Sequence, residues 1–139
     1  MATGTAGTTA RQYNHQLQHF LRFHVTYSDS GIASGVGKQT LPAGAIITGT
    51  DVLVDTTFNA QTTNVLTVGI NGTTANNMVA SGDVDETTAA LTTGIKPTGT
   101  ALASLAADSQ VWVKYTQTGT AATQGSAYVI VKYIPNNDL

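Results

Sequence analysis

The chain has 139 residues, of which 41% are hydrophobic and only 10% are charged, and its formal net charge is −2. Soluble domains usually carry about 25% charged residues, so this chain is unusually neutral. Its length indicates one domain with a core of its own. No Cys is present, which excludes a disulfide framework, a thiolate zinc site and a Cys nucleophile. No run of Lys or Arg is present that could neutralise phosphates, so we expect no direct nucleic-acid binding.

The first residues differ in composition from the rest of the chain. Residues 1–12 are small and polar, and they lack the basic and apolar regions of a secretory signal. No apolar stretch long enough to cross a membrane follows them. A low-complexity segment of this kind needs contacts to order it, and the candidates are a neighbouring subunit and the protein's own surface. We therefore predict an N-terminal arm over residues 1–19, which clamps a neighbouring chain and includes Tyr13 and Leu17 as contact residues.

A folded domain is predicted over residues 20–139, and its first half contains three strand signals. From Phe20 to Tyr27 apolar and polar residues alternate, which is typical of a half-buried strand. A turn-rich loop is predicted over residues 28–45. A long strand over residues 46–58 places Val52 and Val54 on one face and Leu53 on the other. The segment NAQTT then turns the chain into a strand over residues 65–70, which predicts a hairpin.

The middle of the chain gives weaker signals. Residues 78–80 are consistent with a short strand, and Asp83 is placed to cap a single helical turn over VDETT. In all we expect seven or eight short strands and no long amphipathic helix. This pattern predicts an all-β fold, namely an antiparallel β-sandwich or jelly roll of about eight strands.

The last two strands are predicted over residues 110–116 and 127–134, joined as a hairpin by TGTAATQGS. One face of this hairpin carries Val, Val and Tyr from each strand. The opposite face of an antiparallel sheet is usually polar, yet here it is largely apolar. We predict that another protein segment covers it, with Trp112 as an anchor. The apolar residues of this second face are Trp112, Tyr128, Ile130 and Ile134.

Few residues are candidates for chemistry. His15 and His19 have the i, i+4 spacing of a helical metal site, but the Glu of the zinc-protease motif is replaced by Gln16. The acidic stretch GDVDE lacks the ligand spacing of a calcium loop. No Ser lies in a nucleophile-elbow pattern. We therefore expect no metal, no cofactor and no enzymatic activity.

Three segments carry a resemblance to a known group of proteins. They are LPAGA, the Thr- and Asn-rich stretch DVLVDTTFNAQTTNVLTVG, and YTQTGTAATQG. Over residues 20–135 the chain resembles small tailed-phage virion proteins that decorate, or cement, capsids and have a jelly-roll fold. The resemblance implies a homo-oligomer made in the bacterial cytoplasm, which binds the major coat protein on the outer capsid surface and bridges neighbouring coat subunits. It implies no catalytic residues.

Two alternatives remain open at the level of sequence. A jelly roll can also serve as a carbohydrate-binding or host-attachment module, and stacking on sugar rings would use aromatic side chains. The candidates for such a platform are Tyr13, Tyr27, Trp112, Tyr115, Tyr128 and Tyr133. The second alternative is a structural component of the neck or tail of the virion.

Overall fold

The computed structural model describes residues 17–136, which form two antiparallel sheets. The four-stranded sheet has the order β1-β7-β3-β5, and the three-stranded sheet has the order β2-β6-β4. The strands are β1 (His19–Thr26), β2 (Val36–Leu41), β3 (Ile46–Thr56), β4 (Thr63–Gly69), β5 (Leu91–Ile95), β6 (Ser109–Thr118) and β7 (Ser126–Ile134). Short 3₁₀ turns lie at Gly72–Thr74 and Gly99–Leu102. The predicted antiparallel sandwich is confirmed.

Consecutive strands alternate between the two sheets, so that odd-numbered strands form one sheet and even-numbered strands form the other. Each connection between consecutive strands therefore crosses from one sheet of the sandwich to the other. Val79 forms an isolated bridge with Val68 of β4, at the edge of the smaller sheet. The short strand predicted over residues 78–80 is thus reduced to a single paired residue.

Both predicted hairpins are wrong. β3 pairs with β7 and β5, whereas β4 pairs with β6. β6 and β7 likewise belong to different sheets. Tight hairpins depend on loops of about two residues with defined turn types. The connections here, residues 57–62 and 119–125, are longer and cross between sheets that pack roughly 10 Å apart.

Three further expectations need correction. The predicted loop over residues 28–45 contains β2, whose polar sequence VGKQTL lacks an apolar alternation. β5 was not predicted, because its sequence LTTGI buries only its last residue. Asp83 caps no helical turn, since its Oδ2 atom accepts a hydrogen bond from the preceding Ala80 N at 2.8 Å.

The core lies between the sheets and is built by the strand alternation that the sequence predicts. Val52 and Val54 are buried, whereas Leu53 is exposed. At one end of the core the rings of Phe58 and Tyr115 lie 4.6 Å apart, centroid to centroid. The other buried strand residues include Leu21, Phe23, Val25, Leu66, Val68, Val111, Val113, Val129 and Val131.

Neutral side chains hold together the two connections at the Phe58 end. Asn59 Oδ1 accepts hydrogen bonds from Thr123 N at 2.8 Å and Gln124 N at 3.1 Å. Gln61 Oε1 accepts a hydrogen bond from Thr120 N at 3.2 Å and another from the hydroxyl of Thr120 at 3.0 Å. Such bonds do not weaken as salt is added, unlike exposed ion pairs. The abundance of Thr, Asn and Gln in the sequence therefore serves to fix loops without charge.

Candidate interaction surface

The outer face of the four-stranded sheet carries rows of side chains that the strand register aligns. We call this surface the apolar face. One row runs from His24 through Tyr128 and Leu53 to Leu91, because these residues pair in register across the four strands. At one end of the sheet Ile46 pairs with Ile134 and adds a second apolar row.

Large exposed hydrophobic residues are concentrated on this sheet. Five of the seven in the described part of the chain belong to it: Phe20 (62% exposed), Leu91 (55%), Ile46 (46%), Ile134 (39%) and Leu53 (36%). The other two are Leu17, just before β1, and Leu102. Single exposed Leu residues are common on protein surfaces, but a group aligned on one sheet indicates an interaction site.

Three charged side chains of the apolar face have partners within it. Lys132 Nζ lies 3.3 Å from Asp51 Oδ1, and the same oxygen accepts a hydrogen bond from Gly94 N at 2.9 Å. The Arg22 guanidinium lies 4.6 Å from the centre of the Tyr128 ring, in the range of a cation–π contact. The face therefore suits a neutral, apolar protein surface better than an anion.

The outer face of the three-stranded sheet is different. Trp112 pairs in register with Gly37 on β2 and with Gly69 on β4, so neither neighbour has a side chain beside the indole. A Cβ atom on Gly69 would lie 2.5 Å from Asn71 Oδ1, and one on Gly35 would lie 3.3 Å from Thr73 Cα. The loop over residues 71–77 thus folds onto the face that carries Trp112, and Trp112 is half-buried.

The structure brings together some of the predicted contact residues and separates others. Tyr128 and Ile130 are half-buried and Ile134 is exposed, all on the outer side of β7. Trp112 lies on the outer side of the other sheet, so the single contiguous patch predicted for the last two strands does not exist. Leu17 is 61% exposed just before β1, and Tyr13 lies outside the described residues.

Four residues of the apolar face were not predicted as contacts: Phe20, Ile46, Leu53 and Leu91. Strand alternation already placed Leu53 on the side opposite the core, which was a usable signal. Leu91 could not be found, because its strand was not recognised.

The carboxylates of the acidic stretch GDVDE turn to separate partners. In residues 17–136, no group of three or more His, Asp or Glu side chains is placed to hold a metal ion. The Asp85 carboxylate accepts hydrogen bonds from the Thr87 and Thr88 side chains and from Thr87 N, all within its own loop. These bonds lower the pKa of the Asp85 carboxyl. His15 lies outside the described residues.

Glu86 is the buried member of this stretch, with only 7% exposure. Its Oε1 atom accepts a hydrogen bond from Leu66 N at 2.8 Å. Burial raises the pKa of the Glu86 carboxyl above its ordinary value, although the bond from Leu66 acts in the opposite direction. Burial and the charge of Glu86 also raise the pKa of Tyr115, whose hydroxyl donates to Asn64 Oδ1 at 2.6 Å. Glu86 therefore closes part of the free edge of β4.

Within residues 17–136, the candidate aromatic residues do not form a common platform, and Tyr13 lies outside this range. Tyr115 is buried in the core, Tyr27 and Tyr133 pack against the core, and Tyr128 and Trp112 lie on different sheets. Among residues 17–136, no helix is long and apolar enough to cross a membrane.

Comparison with known proteins places this fold among phage capsid structures. No protein-family model and no curated protein sequence matches the chain. One similar chain occurs in the structure described as the capsid asymmetric unit of cyanophage Pam1, with a TM-score of 0.64 and 20% identity over 97% of this chain and 99% of that chain. Another occurs in the acidic stable capsid structure of Helicobacter pylori bacteriophage KHP30, with a TM-score of 0.58 and 16% identity over 88% and 91%. At these identities the likeness shows a shared fold.

Proposed function

We propose that the protein is a structural component of a tailed-phage virion, where it decorates the outer capsid surface and cements neighbouring coat subunits. The observation that carries this proposal is the apolar face. A single sandwich that leaves a row of Leu and aromatic side chains uncovered is suited to bind a second protein surface. Full-length similarity to chains of about the same size in two phage capsid structures supports the same role.

The apolar face would supply most of the binding free energy. Burial of apolar surface contributes about 25 cal/mol per Å², and only part of it appears as affinity because association costs entropy. Lys132 and Asp51 already neutralise each other, so this pair brings no unpaired charge into the contact. With a net charge of only −2, many copies can crowd on one shell with little mutual repulsion.

Cementing requires contact with more than one neighbour. The apolar face lies on one side of the sandwich, and Trp112 lies on the opposite side. On that side Trp112 would anchor the protein at a second contact. The arm over residues 1–19 would supply a third, and each of these contacts would join a decorating copy to the coat lattice or to another copy of itself.

The copy number of the protein relative to coat protein in purified particles tests this proposal. A decorating protein occurs in numbers comparable with the coat subunits, and density for it lies outside the shell. A ratio far below this, with density at one vertex, would instead identify a neck or tail component. The carbohydrate-binding alternative gains no support from the described candidates for a stacking platform, since Tyr115 is buried and Tyr128 and Trp112 lie on different sheets.

A further inference from the structure

The charged residues of the four-stranded sheet are sorted by strand. The cations Arg22 and Lys132 lie on the adjacent strands β1 and β7. The carboxylates Asp51 and Asp55 both lie on β3, and β5 has no charged residue. All four side chains lie on the outer side of the sheet, because a residue buried in the core precedes each of them. The apolar face therefore has a cationic half on β1 and β7 and an acidic half on β3 and β5.

The central row of the apolar face shows the same division. His24 and Tyr128 supply aromatic rings on β1 and β7, with their centroids 4.7 Å apart. Leu53 and Leu91 supply aliphatic side chains on β3 and β5, and the two pair in register. A second face of this kind, turned so that its halves are exchanged, would bring aliphatic side chains onto the rings.

The orientation of two such faces decides whether their halves match. Rotation about a two-fold axis parallel to the strands places β1 of one copy over β5 of the other, and β7 over β3. The half with Arg22 and Lys132 then faces the half with Asp51 and Asp55. A two-fold axis across the strands would instead place cations on cations and carboxylates on carboxylates, and contacts between like charges are unfavourable. The apolar face is thus complementary to itself about one axis only.

We propose that the apolar face binds the apolar face of a second copy, with the two-fold axis parallel to the strands. This inference rests on the proposed function, since it names the partner of the surface on which that function depends. Face-to-face sheets pack about 10 Å apart, with strand directions within about 30° of each other. A two-fold contact of this kind closes at two copies. It therefore leaves the outer face that carries Trp112 available on both copies for other neighbours.

The size of the face sets the strength of this contact. Four strands about 4.8 Å apart, with about eight residues each at about 3.3 Å per residue, present a flat area of roughly 500 Å². The two copies together would bury about 1,000 Å², which is in the range of weak complexes. We therefore expect a dimer that forms at high protein concentration, and that forms more readily when copies are held side by side on a particle.

Charge reversal tests whether the two halves meet. Because a two-fold axis repeats every contact, Arg22→Glu and Asp55→Lys each change two charge contacts, and each contact changes affinity by about two- to five-fold. We expect either variant to weaken the dimer roughly ten-fold in sedimentation equilibrium. An equimolar mixture of the two variants should restore it, since unlike charges then face each other again, and added salt should reduce this preference.

Lys114→Glu is the matched control for Arg22→Glu. It changes the net charge by the same amount but lies on β6, in the three-stranded sheet. We expect dimerisation of this variant to stay within about two-fold of the wild-type value. Equal weakening by Lys114→Glu and Arg22→Glu would show that net charge, and not the apolar face, controls association, and would overturn the inference.

Cross-linking locates the axis. The chain has no Cys, so His24→Cys in one copy and Leu91→Cys in another provide unique sites for a short bis-maleimide. With the axis parallel to the strands, these two positions face each other, whereas two copies of either variant hold their Cys residues about three strand spacings, or roughly 14 Å, further apart. We expect the mixture to yield at least ten-fold more cross-linked dimer than either variant alone. Efficient cross-linking of Leu91→Cys alone would instead indicate an axis across the strands.

Other occupants of the face would give different results. If the protein stays monomeric up to millimolar concentration and gives no cross-link on particles, yet Leu53→Ser with Leu91→Ser abolishes attachment, the face binds coat protein. That result overturns the inference and leaves the proposed function intact. Dimerisation that appears only after deletion of residues 1–16 would assign the face to the chain's own arm. A dimer with the expected cross-link that never attaches to particles would support the inference and count against the proposed function.

Discussion

The two sheets of the sandwich are completed to different degrees by the chain's own residues. On the three-stranded sheet, the loop over residues 71–77 covers the outer face beside Trp112, and Glu86 with Val79 closes the edge of β4. The four-stranded sheet has no such loop over its outer face in the described residues, and Leu53 and Leu91 are exposed there. The chain covers part of the outer face of its three-stranded sheet but leaves the outer face of the four-stranded sheet exposed. We therefore expect partners to bind the four-stranded sheet.

The largest expected effect on attachment comes from substitutions on the apolar face of the four-stranded sheet. Leu53 and Leu91 pair across β3 and β5, and both are exposed in the isolated molecule. Replacing both with Ser should weaken attachment to particles by roughly 10- to 100-fold, because a loss of about 1.4 kcal/mol corresponds to one factor of ten. The melting temperature should change little. Binding to particles stripped of the protein, measured by co-sedimentation, gives the comparison.

The three-stranded sheet offers a matched control for this variant. Thr63 and Thr118 also pair in register, are exposed, and hydrogen-bond to each other at 2.7 Å. Changing both to Ala should leave attachment within about two-fold of the wild-type value, since exposed substitutions of this kind cost little. If the Thr pair weakens attachment as much as the Leu pair, the two faces do not differ in function.

Trp112→Ser tests whether the covered face serves the fold. Because the indole is half-buried between Gly37 and Gly69 with the loop over residues 71–77 beside it, we expect this substitution to lower the free energy of unfolding by about 2–3 kcal/mol. Attachment of the folded fraction should fall less than for the Leu53 and Leu91 variant. Urea unfolding and co-sedimentation measure the two effects separately, and the opposite ranking would make Trp112 an assembly anchor.

Sequence reasoning predicts the local part of this structure well and the long-range part poorly. Alternation assigned the inner and outer sides of β1, β3, β6 and β7, because side-chain direction in a strand depends only on its neighbours. It gave no information on which strands pair. The two hairpin predictions failed for this reason: residues 57–62 and 119–125 permit either a return within one sheet or a crossing to the other.

The same limit applied to the candidate surface. Tyr128, Ile130 and Ile134 were correctly placed on the side of β7 away from the core, but Trp112 was grouped with them through a pairing that does not occur. Leu91 was missed because LTTGI has no alternation of burial. The register that aligns Leu91 with Leu53 is a tertiary property and leaves no mark in either segment.

Glu86, at the closed edge of β4, should make the stability of the protein decrease as the pH rises. Burial raises the pKa of this carboxyl in the folded protein, so its contribution to stability is complete below the unfolded pKa and is lost as the pH rises through the folded pKa. Glu86→Gln keeps an acceptor for Leu66 N and cannot ionise. At neutral pH it should therefore be more stable than the wild-type protein, by about 1 kcal/mol, and the difference should shrink toward pH 4.

The control for this prediction is Asp85→Asn. The pKa of Asp85 is lowered by hydrogen bonds from Thr87 and Thr88. Its contribution to stability therefore has the opposite pH dependence to that of Glu86 and is lost as the pH falls. Urea midpoints of both variants and the wild-type protein across this pH range separate the two groups. A Glu86→Gln variant that is less stable at neutral pH would show that the ionised carboxylate, through its bond to Leu66, stabilises the edge of β4.

The smallest expected effect concerns a buried hydroxyl group on the inner side of the four-stranded sheet. Thr50 is 1% exposed, and its hydroxyl is the buried side-chain group without a hydrogen-bond partner in residues 17–136. Its neighbours in register, Val131 and Ile95, are apolar. Thr50→Val keeps the β-branched shape and removes the cost of burying an unsatisfied hydroxyl, so stability should rise by about 1 kcal/mol. The urea midpoint should increase with an unchanged slope, and attachment should be unaffected because this side faces the core.

Thr50→Ala should lower the midpoint, since it leaves a cavity. A lower midpoint for Thr50→Val would reveal a partner for the hydroxyl, such as a buried water molecule.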